Sequence, residues 1–385
     1  MVVKPCDLET STYNFGNAFD SRNVVCLVGL GEKVWDIQYS ENPYGDKLCE
    51  IQKDIDETDL LVFVNAKFDL HHLRNLGIKF DHKRIWDCQL VDFMLEGQTT
   101  PYPSMNSMAE KYGLPLKPDI KTTYWENGID TKDIPFQEIY LYLQEHDLPT
   151  TKAIYDIQKK LVDAQSKQFQ RLVSLMNQDL LVLQDIEYNG FYFDEDSCKQ
   201  KSIELQKTID ELRMELHDYH NIEEFNSESG DHLSALLYGG TITIPRRELI
   251  GTYKTGDRKG EDKYGWKDTS YSLPRLFNPL PRTELKKDGY WQTGEDVLKQ
   301  LKCRDKAGKR AIEVILTLAK LEKIVGTYYN GLPKLRDTMH WPTNLLHGNL
   351  NQVTARTGRL SSTKPNLQNL AGDAKSIFCS RYKNG

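Results

Sequence analysis

The 385-residue chain contains no Cys-x-x-Cys pair and no apolar run approaching the roughly 18 residues of a membrane-spanning helix. The first absence argues against a structural zinc site and the second against a membrane span. The seven cysteines, Cys6, Cys26, Cys49, Cys88, Cys198, Cys303 and Cys379, stand singly, and an odd, scattered count fits a reducing compartment. Secretion is not expected either, because MVVKPCDLETS puts an acid pair where a leader needs an apolar stretch. Nor is there an excess of positive charge. A net charge of −6 argues against a protein that coats nucleic acid. It does not argue against an enzyme acting on DNA, which needs local basic surfaces together with acidic metal sites. No internal repeat is evident.

What is present can fill real cores: 39% hydrophobic residues, with 10% aromatic. The length suggests two or three domains. Over residues 1–160, β-rich runs alternate with helical ones. NVVCLVGL (23–30) and DLLVFVN (59–65) read as buried strands, and FDLHHLRNLG (68–77) as a helix ending at Gly77. This is the α/β pattern of a mixed sheet with flanking helices. In SCKQKSIELQKTIDELRMELHDYH, Ile203, Leu205, Ile209, Leu212 and Leu216 fall at helical spacings and predict a long amphipathic helix. Residues 239–290, rich in Gly, Lys and Arg with Thr/Ile/Tyr alternation, predict short hairpins or an insertion that either touches a polyanion or is plain solvated surface. Helical patterning returns over 295–335.

Three acidic elements carry possible chemistry. Asp7 and Glu9 stand two apart, so in a strand both carboxylates share a face, and a divalent cation would relieve their repulsion. Asp185 and Glu187 have the same spacing, and a surface strand accounts for either pair. In NAKFDLHHL, Asn65 ends a strand and Asp69 lies in the first turn of the next helix, where an acid also complements the helix dipole. In YLYLQEHDLPTTKAIYDIQKKL, Asp147 precedes Pro149, a residue tolerated at the start of a helix.

The order strand acid pair, N-x-x-x-D, then a helical Asp resembles the DEDD family of 3′–5′ exonucleases. The resemblance implies that Asp7, Glu9, Asp69 and Asp147 hold two Mg²⁺ or Mn²⁺ ions roughly 4 Å apart, with Asp7 bridging them. One ion would generate hydroxide and the other stabilise the leaving 3′ oxygen. The family also places a Tyr four residues, or a His five residues, before the last Asp to orient the attacking water. Here Leu143 stands at minus four and Tyr142 at minus five. On a regular α-helix minus five lies about 140° away, although Pro149 leaves the helical phase open. Tyr142 is the residue assigned this catalytic role, and His146 is expected to point elsewhere.

Four further stretches follow in order: LVLQDIEYNGFYFDEDSC (181–198), EEFNSESGDHLSALLYGG (223–240), TLAKLEKIVGTYYNGLP (317–333) and TARTGRLSSTKPNLQNL (354–370). The series resembles family A DNA polymerases of the bacterial DNA polymerase I and phage replicative type. The resemblance implies a ribonuclease H-like α/β (α+β) exonuclease domain at 1–165. A mainly α-helical thumb with a β-rich insertion would follow at 166–340, and the start of a palm at 341–385. Ser227 and Ser229 would meet primer–template phosphates at the thumb tip, though either equally reads as a helix N-cap. Arg359 would enter the minor groove at the primer terminus, and Asn366, Gln368 and Asn369 would grip the last base pair. Lys364 and Arg356 would add phosphate contacts, or are solvated surface.

The palm motif D-x-S-x-x-E, the fingers helix and the second palm motif H-D-E do not occur in these residues. The expected function is therefore the N-terminal part of a split, phage-like polymerase that proofreads and binds primer–template and single-stranded 3′ ends. A second polypeptide would supply the missing palm and fingers, and the location would be the cytoplasm, that of a bacterial host if phage-encoded. A free-standing exonuclease with a remnant thumb, a non-catalytic DNA-binding subunit and a truncated single-chain polymerase are the alternatives.

Overall fold

A computed structural model describes residues 1–38, 45–302 and 306–382. The chain divides into two compact units, residues 1–194 with 332–385 and residues 195–331.

The first unit is built on five strands: β1 (Val3–Thr10), β2 (Val25–Leu30), β3 (Lys33–Asp36), β4 (Leu60–Phe63) and β5 (Arg84–Asp87). Their order across the sheet is β3-β2-β1-β4-β5. β1, β2 and β3 pair antiparallel, whereas β1–β4 and β4–β5 are parallel. Parallel neighbours need a crossover, and the second of these is made by α2. The strands read as continuous apolar runs, VCLVGL and LLVF, because helices cover the sheet. The helices are α1 (Asp46–Asp56), α2 (Ala66–Asn75), α3 (Cys88–Leu95), α4 (Met105–Tyr112), the short α5 (Ile120–Thr123), α6 (Phe136–Leu141), α7 (Leu148–Asp163) and α8 (Lys167–Asn189). One core centres on Leu61, Phe63, Leu70 and Phe93, and a second packs Leu27, Leu143 and Leu148. Asp185 and Glu187, read above as compatible with a strand, lie inside α8, whose apolar spacing continues to Asn189.

Within this unit, β6 (Phe191–Tyr192) pairs with a returning strand, Leu345–Leu346. Asn349–Asn351 pairs antiparallel with Ser361–Thr363. Residues 354–370 thus form the second arm of a small hairpin followed by a short helical turn at Leu367–Asn369.

In the second unit α9 (Glu195–His217) packs against the helix Lys306–Ile324, and two ion pairs, Arg213–Glu322 and Arg310–Glu215, join them. The helix Gly230–Tyr238 packs on a ribbon of two long strands, Gly240–Thr252 and Asp262–Leu273, through a cluster of Ile222, Ala235, Ile242 and Ile244. The insertion is one continuous antiparallel ribbon in place of several short hairpins. Thr, Tyr and Ile alternation sustains the pairing over its inner half, Thr241–Ile244 against Thr269–Ser272, and the outer half carries a register shift between Leu249 and Gly251. Among the described residues no helix is long and apolar enough to cross a membrane.

Candidate metal centre

In β1, alternation sends Cys6 and Leu8 into the main core and turns Asp7 and Glu9 to the other face. Asp7 pairs with Gly29 and Glu9 with Leu27 on β2. A Cβ on Gly29 would stand 2.8 Å from Leu148 Cδ1 and 3.2 Å from Leu143 Cδ2. The glycine lets the 143–148 segment settle onto the sheet directly beside Asp7, and Asp147 arrives with it. Oxygen atoms of Asp7, Glu9 and Asp147 lie within 4.8 Å of one another.

Residues Tyr142–Asp147 form a π-helical turn between α6 and α7, closed by the Leu148 N–H donating to the Leu143 carbonyl. The wider turn draws minus five toward the face that minus four occupies on an α-helix. The phase left open at Pro149 is resolved this way. α6, the π turn and α7 run on without a break, and the proline is accepted near the start of α7. Tyr142 is buried, and both it and Asp147 face Lys117. His146 is half-buried, its ring 6.5 Å from that of Tyr142.

Asp69 is buried in the first turn of α2, and its Oδ1 accepts a bond of 3.2 Å from the Leu8 N–H. Asn65 caps α2 in the left-handed conformation (φ 67°), a backbone state that asparagine tolerates well. Asp69 borders the trio but is not one of the three whose oxygens converge. Burial, reinforced by Asp147, pushes the Asp7 and Glu9 carboxyls well above the ordinary range. Burial and then Asp7 do the same to Asp69. Asp147 is raised by burial while Lys117 opposes the rise. Such a set is short of positive charge, and its hard oxygen donors suit Mg²⁺ or Mn²⁺.

Lys117 was not among the residues singled out from the sequence. Its Nζ lies 2.9 Å from Asp147 Oδ1 and 3.1 Å from Oδ2, and 4.8 Å from the Tyr142 ring centre. Nothing in LPLKPD marks it, since it sits in a proline-flanked loop without periodicity.

Two cavities of the first unit share Phe15 and Phe68, and one of them reaches the trio at Glu9. One, of about 490 Å³, is lined by Glu9, Phe15, Phe68 and Trp125. The other, of about 350 Å³, shares Phe15 and Phe68 and continues to Asn349, Asn351 and Lys364. Phe15 is 91% exposed, and Lys364 Nζ stands 5.6 Å from its ring centre.

Arg356, Arg359, Lys364, Asn366, Gln368 and Asn369 are all exposed on the tail of the first unit, and Asn366 caps the turn by accepting from the Gln368 N–H at 3.2 Å. Ser227 and Ser229 belong to the second unit. The Ser227 hydroxyl donates to Glu322 at 3.2 Å, and Ser229 caps the helix Gly230–Tyr238.

Residues 273–381 match the family model for DNA polymerase family A. DNA polymerase I of Bacillus subtilis (strain 168) is 28% identical over 273 residues, 70% of this chain and 25% of its own length. DNA polymerase I of Pseudomonas aeruginosa is 26% identical over 325 residues, 82% of this chain and 30% of its own. The chain spans between a fifth and a third of the length of such curated relatives. A solved structure, the POL domain of Pol1 from M. smegmatis in complex with DNA primer-template and dNTP, superposes with a TM-score of 0.63 at 16% identity. That match takes in 97% of this chain and 53% of the solved one, and shows a shared fold. The family match over the C-terminal third, and the DNA polymerase I likeness over most of the remainder, make this chain a relative of the family A DNA polymerases.

Proposed function

We propose that the first unit is a metal-dependent 3′–5′ exonuclease of ribonuclease H-like type, and that the tail of the chain grips a primer–template. The observation that carries the nuclease reading is the convergence of Asp7, Glu9 and Asp147 within 4.8 Å, from opposite ends of 140 residues of chain. The sheet order, with its acid pair on the central strand, supports it. Divalent ions held by these carboxylates, with Asp69 alongside, would supply a hydroxide nucleophile and neutralise the leaving 3′ oxygen. The Tyr142 hydroxyl is held protonated by burial and by Asp147, so it serves as a donor that orients water. The cavity at Glu9 and Phe15 takes the last bases of a frayed strand, stacked on aromatic faces. The polar cavity beyond it leads toward Lys364, on the segment proposed to hold the duplex.

Arg359 is exposed and basic, as a residue entering a minor groove must be. Arg356 and Lys364 would contact phosphate, and Asn366, Gln368 and Asn369 the terminal pair. Nucleotidyl transfer needs the palm-motif carboxylates and the fingers-motif Lys and Arg, which these 385 residues do not contain, so it is assigned to residues outside them. A second polypeptide as their source, in a cytoplasmic phage replication system, is tested by mixing the two chains and assaying primer extension.

The decisive assay is digestion of a labelled single strand in Mg²⁺. Stepwise shortening from the 3′ end, abolished by Asp7→Ala, is expected. Shortening that survives Asp7→Ala, or no shortening by a folded chain, would refute the nuclease.

A further inference from the structure

The trio of acids already contains a cation. Lys117 lies within 3.1 Å of both oxygens of Asp147, its side chain 22% exposed, and it faces the Tyr142 ring. Prolines 115 and 118 bracket it, and Asp119 fixes the loop by capping α5, accepting from the Thr122 N–H at 3.1 Å. The loop therefore delivers this ammonium to one place. A divalent ion taking Asp147 as a ligand would meet a like charge a few ångströms away, in a half-buried site where such repulsion is poorly screened. Lysine, with its flexible four-carbon stem, can withdraw, and 22% exposure leaves it a path to water.

We infer that Lys117 is a resident counter-cation that occupies Asp147 while the site is empty and must leave it before the site fills. The lysine thereby sets the threshold for metal occupancy, keeping the carboxylates together in the metal-free protein at the expense of metal affinity. This rests on the nuclease reading only in taking the trio as a metal site.

The test is direct Mn²⁺ binding to the full chain, followed by the electron paramagnetic resonance signal of the free ion and requiring no nuclease activity. Lys117→Met is expected to bind Mn²⁺ at least about ten-fold more tightly than the unaltered protein, because one repelling charge is gone. Lys117→Arg, which keeps the charge, should stay within about three-fold of the unaltered protein. Should Lys117→Met not melt cooperatively, Lys117→Gln provides the same comparison. Unchanged or weaker binding in the neutral variants overturns the inference. If Asp7→Asn binds as much Mn²⁺ as the unaltered chain, the trio is no metal site and both readings fall. If Asp7→Asn loses the ion while Lys117→Met leaves affinity unchanged, the lysine inference alone fails.

Discussion

Asp7 is held against its own preference: burial and Asp147 both disfavour its charge, and Lys117, with a backbone hydrogen bond from Leu8, opposes them. Removing that charge should relieve repulsion in the metal-free protein while destroying the metal site. Asp7→Asn is therefore expected to raise metal-free stability by about 1 kcal/mol in urea unfolding, and to lower exonuclease rate by two or more orders of magnitude. A fall in both would contradict a functional origin of the strain. Tyr142→Phe keeps the buried ring and removes the hydroxyl. It should reduce kcat roughly ten- to hundred-fold with KM nearly unchanged, read from steady-state digestion. The meeting of Asp7, Glu9 and Asp147 was legible in the residue types and their spacing, with Asp69 placed beside them rather than among them. Lys117 was not, since a lysine in a loop is ordinary until the fold places it on a carboxylate.

At the scale of elements, the π turn decides the geometry. Sequence periodicity assumes one helical phase and so puts Tyr142 on a different side of the helix from Asp147; an i→i+5 turn removes that conflict. Gly29 permits the turn to approach the sheet. Gly29→Val should cost about 1–3 kcal/mol by overpacking Leu143 and Leu148, and should weaken Mn²⁺ binding in the same titration, because Asp147 moves with them. Glu187 shows the opposite failure of pattern reading. Taken as half of a strand pair, it is a helical node. Its carboxylate accepts from Lys67 Nζ at 2.5 Å and the Leu350 N–H at 2.5 Å, and bonds His71 Nε2 at 3.0 Å. Burial would raise its carboxyl, yet these partners hold it below the usual range. Glu187→Ala takes the carboxylate away from His71 Nε2 and the Leu350 N–H and leaves the Lys67 ammonium with the Leu350 carbonyl but no counter-charge there, and should cost about 3 kcal/mol or more in chemical unfolding.

Across the whole molecule, strands, long helices and the order of segments were readable from hydrophobic spacing, and the family likeness from TGRLSSTKPNLQN. The join of residues 332–385 to the first unit was not readable, because strand pairs such as Phe191 with Leu346 are set by long-range register. The same unit carries a pH signature. Burial lowers both His72 and His347 to about 4. Between pH 6.5 and 4 the unfolded chain therefore binds protons that the folded chain refuses. Their contribution is present in full above pH 6.5 and is lost as pH falls toward 4. Melting temperature should drop over that range, and His347→Gln should make the slope shallower. An unchanged slope would show that His347 does not titrate in this way.

All of this rests on three acids meeting to hold a divalent ion. The most direct measurement is anomalous scattering from a crystal soaked in Mn²⁺. A peak bounded by Asp7, Glu9 and Asp147, with Lys117 turned away from Asp147, is the predicted result. Ordered Asp7, Glu9 and Asp147 side chains with no peak between them, at a concentration that occupies other carboxylate sites, would contradict it.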